Sequence, residues 1–173
     1  MKILVLGLPG SGKTTQVDNI ANEYNLTPLK MGNMLREIAL NGSQLGEKVK
    51  EVMAKGDLVE DSTVSEIIKE KANSLEGTEG FVMEGYPRTL EQVELFDPGF
   101  DQVFYLEVPI EVAKERLSGR GRADDNEGTI ETRLKVQMED MENILNNYKE
   151  KLKKIDGTKS VEEVFSEIRN ILA

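Results

Sequence analysis

The sequence has neither cysteine nor histidine. Without them, histidine general-base chemistry and the usual Cys/His zinc sites are excluded, the redox compartment is unreadable, and any metal must be held by oxygen. No long hydrophobic run opens the chain. Ile3 to Leu6 are apolar and the run breaks at Gly7, too short for a signal peptide or a membrane span, so a cytoplasmic protein is expected. No Pro/Gly/Ser-rich linker and no repeat divides the 173 residues, of which 38% are hydrophobic. One domain with one sizeable core and small mobile lobes is therefore expected. Positive charge is scarce: 22 Lys and Arg stand against 32 Asp and Glu, giving a net charge of -10 and a pI of about 4.7. That balance argues against a nucleic-acid polymer as partner, because phosphate backbones are held by clustered cations. A small anion in a locally basic cleft remains compatible with it.

Arginine is scarcer still. There are seven: Arg36, Arg88, Arg116, Arg120, Arg122, Arg133 and Arg169. Each is a candidate for bidentate recognition of phosphate or carboxylate, which lysine does not reproduce. Four fall between positions 116 and 133, and the Arg120-Gly-Arg122 cluster beside Asp124 and Asp125 reads as part of a multi-phosphate site. Arg169, on a C-terminal helical pattern, reads as a surface ion pair of little energetic value.

What the chain does have is concentrated at its start. A short apolar strand at 2–6 runs directly into Gly7-Leu-Pro-Gly-Ser-Gly-Lys-Thr14, a phosphate-binding loop of the form G-x-x-x-x-G-K-[ST]. Gly7, Gly10 and Gly12 let successive backbone N–H groups aim at phosphate oxygens, and the helix beginning near Lys13 adds its positive end. Lys13 brings a point charge to the β and γ phosphates, and Thr14 offers a hydroxyl to a magnesium ion bridging them. The chain binds a nucleotide triphosphate on this reading.

Strand-like runs recur at 2–6, 27–31, 80–84, 102–108 and 153–156, separated by helical patterns. Alternating β and α predicts a parallel sheet with helices on both faces. The mostly helical stretch 33–74 exceeds what one crossover needs and should form a small lobe over the carboxyl edge of the sheet. Near the C-terminus, Ser160 and Glu163 form a capping box ahead of a helix with an apolar face of Val161, Val164, Phe165, Ile168 and Leu172, all expected in the core. The charged run 139–154 reads as a solvated helix face.

Further motifs follow in order: Met31-Gly-Asn-Met-Leu-Arg36, Gly56-Asp-Leu-Val59, Gly85-Tyr-Pro-Arg-Thr89 with Gln92, Arg122-Ala-Asp-Asp125 and Asp156-Gly-Thr-Lys159. With the phosphate loop they make the chain resemble an adenylate kinase over nearly its whole length. The resemblance implies a P-loop NTPase fold with five parallel strands, an AMP lobe at about 31–60, and reversible transfer of the ATP γ-phosphoryl group to AMP, giving two ADP, with magnesium as the ion. ATP would engage Gly10, Ser11, Gly12, Lys13, Thr14, Thr15, Arg116, Arg120 and Lys159, with Arg116 stacking on the adenine and Lys159 in the loop on its other side. AMP would engage Met31, Arg36, Leu58, Val59, Gly85, Arg88, Gln92, Arg122 and Arg133. Lys13, Arg88, Arg120, Arg122 and Arg133 would surround the transferring group. Magnesium would touch Thr14 and reach Glu84, Asn33 and Asp124 through water.

An AMP phosphate is already an ionised nucleophile, so the missing histidine costs nothing, and catalysis falls to position and charge. The chain departs from the family pattern at Met31 (commonly threonine), Asn33 and Glu84 (commonly aspartates), and between Arg120 and Arg122, where relatives insert a lid and this chain has only Gly121. The resemblance therefore implies a lidless or very short-lid form with a residual lid at 120–122. A monomer is expected, with self-association left open. Two other readings compete: a UMP/CMP kinase, against which the Gly-Tyr-Pro-Arg-Thr motif and Gln92 speak, and a P-loop ATPase or nucleotide sensor, in which Arg36 and Arg88 would have no purpose.

Overall fold

The structure, a computed structural model, describes residues 1–121 and 126–173. Strands β1 (Lys2–Leu6), β2 (Thr27–Lys30), β3 (Phe81–Glu84), β4 (Gln102–Glu107) and β5 (Leu152–Asp156) form one sheet in the order β2-β3-β1-β4-β5. All its pairings are parallel. The helices are α1 (Lys13–Tyr24), α2 (Met31–Leu40), α3 (Gln44–Lys55), α4 (Asp61–Asn73), α5 (Leu90–Leu95), α6 (Ile110–Arg120), α7 (Glu127–Glu139), α8 (Met141–Asn147) and α9 (Val161–Leu172). None of the described helices is long and apolar enough to cross a membrane.

A parallel sheet buries both faces, so its strands read as continuous apolar runs while alternate residues serve different layers. Leu4 lies level with Met83 of β3 and Val103 of β4, and all three enter one core together with Val64, Ile68 and Ala72 of α4. Ile3, Val5, Val82, Phe104 and Leu106 point the other way, onto Val17 and Ile20 of α1 and Val164 and Ile168 of α9. A third cluster joins Leu8 of the phosphate loop to Ala113 and Leu117 of α6 and to Ile130 and Leu134 of α7. It fixes α6, with Arg116 and Arg120, and α7, with Arg133, against the loop. The chain crosses from one side of the sheet to the other beside β1, and in open α/β sheets ligands bind outside the carboxyl ends of strands at such a switch point.

Several expected boundaries move. β2 ends at Lys30 because Met31 already opens α2. Gly80 and Val108 fall outside β3 and β4, and β5 begins one residue early, at Leu152. The stretch 33–74 resolves into α2, α3 and α4, with Gly42 and Gly56 at positive φ between them. The run 139–154 is not one solvated helix face: it holds α8, buried Ile144 and Tyr148, and the start of β5. The capping box of α9 forms as expected, and Val164 and Ile168 are core, but Val161 is 45% exposed. Val161 sits in the first turn, where its carbonyl accepts from the Gln16 amide of α1 at 3.1 Å while its side chain faces outward. Arg169 makes a 3.9 Å surface contact with Glu23, as its sequence position suggests.

Candidate active site

The loop after β1 carries Gly7, Gly10 and Gly12, all at positive φ. Gly10 is required twice over: its φ is +83°, and a Cβ there would lie 2.6 Å from the Ala113 carbonyl oxygen of α6. The loop is thereby pressed onto α6. Gly12 begins α1 without a side-chain cap, which leaves the first-turn N–H groups of Lys13, Thr14 and Thr15 to a ligand. Ser11 is buried and its hydroxyl has no partner among the described residues. Its hydroxyl lies against Gly7, where a Cβ would come within 2.5 Å of it, and its side chain does not line the cleft.

A cleft of about 450 Å³ opens over this loop, lined by Gly10, Gly12, Lys13, Thr14 and Thr15, by Glu84 at the end of β3, and by Arg36, Arg88, Arg116, Arg120 and Arg133. The Lys13 ammonium donates to the Gly7 and Leu8 carbonyls, both at 2.8 Å. Burial pushes its pKa down to about 8; Arg88, Arg133 and Arg120 push in the same direction and Glu84 opposes them. Burial likewise lowers Arg88 to about 10, with Arg133 and Arg36 adding and Glu84 opposing. This is a pocket built to lack negative charge, and an anion relieves it. The free-protein titration sets the sign of a pH effect: Lys13 is charged below about pH 8 and loses its proton above it. Since kcat/KM reports the free enzyme, kcat/KM for ATP should fall as pH rises through about 8, and Lys13→Arg should abolish that limb. A flat profile to pH 9.5 in the unmodified protein would show that Lys13 is not titrating there.

A second pocket lies under α2 and α3, lined by Met31, Leu35, Arg36, Met53, Leu58, Val59, Gly85, Arg88, Gln92 and Arg133 among others. Most of its wall is apolar, as a planar base requires. Met31 is 1% exposed and belongs to the core, so this departure closes the floor with a thioether side chain. Gln92 is also 1% exposed. Its Oε1 accepts from the Arg88 N–H at 2.8 Å and its Nε2 donates to Asp61 at 2.7 Å. One N–H and one lone pair of the amide remain for a ligand. The Tyr86 hydroxyl, fully buried, donates to the Gln92 carbonyl at 2.6 Å and lies 3.1 Å from the Ser65 hydroxyl. Together these bonds fix the 85–92 segment that presents Arg88.

The two cavities adjoin. Gly32, Arg36, Arg88 and Arg133 line both. On α2 the Arg36 guanidinium donates to Asn33 Oδ1 at 2.6 Å, and the Arg88 Nε donates to the Gly85 carbonyl at 2.9 Å, so each is held by a local acceptor. Across the cleft, the Thr14 hydroxyl donates to Glu84 Oε1 at 3.2 Å. Arg116 donates to the Gly157 carbonyl at 2.9 Å, which sets its guanidinium against the loop that precedes α9. Lys159 itself turns to Glu167 at 3.2 Å and does not line the cleft. Arg122 and Asp124 lie outside the described residues. The motifs did not single out Asp61, Met53 or Gln137. Asp61 and Met53 carry no local signature, whereas Gln137 could have been found as the residue one helical turn beyond Arg133.

A sequence profile of the family described as adenylate kinase matches residues 5–153. The chain belongs to the adenylate kinase family. Adenylate kinase of Mycobacterium tuberculosis is 34% identical over 173 residues, covering 96% of each chain. The adenylate kinases of Listeria innocua and Carboxydothermus hydrogenoformans are 33% identical over 213 residues and 34% over 212, covering 99% or more of each chain. Those two matches are longer than the 173 residues here, so these adenylate kinases carry segments with no counterpart in this chain. The fold is that of the family, a P-loop phosphotransferase with a five-stranded parallel sheet.

Proposed function

We propose that the enzyme transfers the γ-phosphoryl group of ATP to AMP across the boundary between the two cavities. The observation that carries this reading is the shared wall: a phosphate-loop cleft and a narrower, mostly apolar pocket meet at Arg36, Arg88 and Arg133. An ATPase needs only the first. ATP phosphates occupy the loop N–H groups and Lys13, and its adenine lies on Arg116 near the 157–159 loop. Arg120 faces the same phosphates. The AMP base enters the lobe formed by residues 31–60, past Leu58 and Val59, with Gly85 and Gln92 at its edge. Its phosphate lies between Arg36 and Arg88, aimed at the γ phosphorus from the side opposite the leaving oxygen. No base is needed, so the work is alignment and neutralisation of charge spread over the transferring group.

Among the described residues no three His, Cys, Asp or Glu gather as a metal cage. The Thr14–Glu84 pair fits magnesium nonetheless, because this ion takes oxygen ligands, keeps several waters and binds mainly through nucleotide phosphates. Thr14 would hold it, with Glu84 and Asn33 reaching through water, and when bound it neutralises phosphate charge. Only residues 121–126 link α6 to α7, which supports a residual lid at 120–122 in place of a folded one.

A coupled assay with an acceptor panel tests the reading. ADP should form only when a nucleoside monophosphate is present, and AMP should be preferred. Gln92→Leu should lower kcat/KM for AMP by about 10²-fold, because a polar base edge is left unpaired, and should affect CMP and UMP less. Equal losses over the whole panel would make Gln92 only the strut between Arg88 and Asp61, and phosphate release independent of AMP would favour an ATPase.

A further inference from the structure

α7 brings a second side chain into the cleft on the face that carries Arg133. Gln137 is one turn further along, only 6% exposed, and lines the cleft together with Lys13, Thr14, Arg88, Arg120 and Arg133. It also lines the narrow crevice between the phosphate loop and the 85–88 segment, beside Gly7, Gly85 and Pro87. Its amide makes no hydrogen bond among the described residues, and it opens onto the cleft although the side chain as a whole is buried. An amide that faces the cleft beside several cations, with no hydrogen bond of its own among the described residues, is placed for an acceptor that arrives with the substrate.

We propose that Gln137 is a catalytic residue of phosphoryl transfer. Its N–H donates to an oxygen of the transferring phosphoryl group, and its carbonyl oxygen faces the Lys13 and Arg88 cations that move onto the phosphates. An amide suits this position for two reasons. It adds a directed donor without a further positive charge in a pocket already short of anions, and its length from α7 keeps it at the cavity boundary, where the phosphoryl group is in flight. The inference rests on assigning the cleft to the triphosphate.

The test uses Gln137→Met, which preserves length and packing, and Gln137→Glu, which sets a carboxylate against the phosphoryl oxygens. For each, kcat, both KM values and Tm are measured, with binding of ADP alone and of ADP plus AMP plus aluminium fluoride, a mimic of the group in transfer. Gln137→Met should lower kcat by about 10²-fold, leave both KM values within about threefold as expected for a contact made in the transition state, and keep Tm. Aluminium fluoride complex formation should weaken by the same factor as kcat, with ADP binding unchanged. Gln137→Glu should lose more. Lys13→Ala serves as the control: if it leaves ADP and ATP binding intact, the cleft assignment fails. If Lys13→Ala behaves as expected but Gln137→Met keeps kcat within about twofold, or loses ADP and aluminium fluoride binding equally, the role of Gln137 is overturned.

Discussion

Arg88→Ala should lower kcat by about 10³-fold or more, the range seen when an arginine that stabilises a transferring phosphoryl group is removed. Arg88 lines both cavities, sits beside Arg36, Arg133 and Glu84, and is desolvated enough to lower its pKa to about 10. It is aimed by two bonds of its own segment, Nε to the Gly85 carbonyl and N–H to Gln92 Oε1. Arg88→Lys should recover little of the loss, since a point charge does not reproduce a planar fork. The fold should survive, because removing one of several crowded cations relieves repulsion while Glu84 keeps Lys13 as neighbour. Steady-state kinetics with ATP and AMP and a thermal melt check this. Turnover within tenfold of the parent, at unchanged Tm, would remove Arg88 from the reaction.

Lys13→Ala should abolish productive ATP use, lowering kcat/KM for ATP by about 10²- to 10³-fold, as for loss of one preorganised donor at a developing charge. The physical basis is the position of the ammonium. It is held by the Gly7 and Leu8 carbonyls and desolvated enough to bring its pKa to about 8. Such a group is poorly solvated before substrate arrives and gains most when a phosphate replaces those carbonyls. Folding should not depend on it: a lysine with a depressed pKa lowers stability below its folded value, where burial of the charge is opposed, and that cost disappears as pH rises toward the unfolded pKa. Lys13→Ala should therefore raise or preserve Tm at neutral pH. Equilibrium binding of ATP with magnesium, followed by calorimetry, gives the direct measurement. Parent-like affinity in the variant would exclude Lys13 from the phosphate site.

The site was legible where its residues are contiguous. A strand, a glycine loop and a helix start within residues 2–14 dictate one local structure, because glycine φ values and a helix N-terminus act over a few residues. The same holds for the capping box at Ser160 and for the alternation that sends Leu4 and Val5 to opposite layers. Local pattern and actual burial diverge where burial depends on distant partners. Val161 fits the apolar stripe of α9 but lies at its first turn, beyond the reach of the sheet. Ile144 and Tyr148 sit within a charged run and are buried because α5 and α7 pack on α8 and the Tyr148 ring meets Phe100 edge-on, in the core that also holds Val103 of β4.

By itself, then, the sequence determined that this protein has a triphosphate loop on a parallel α/β sheet and that it must work without histidine or cysteine. Its ordered motifs also determined its family. Only the tertiary structure decided that Arg36 of α2, Arg88 of the β3–α5 loop and Arg133 of α7 share one wall between two cavities. It also decided that the Gln92 amide is half committed to Arg88 and Asp61, and that Gln137 enters the cleft. These positions are far apart in the chain and meet because β3 inserts between β2 and β1 while α7 docks on α6. That arrangement is chosen by burial summed over the whole sheet, which no local window of residues contains.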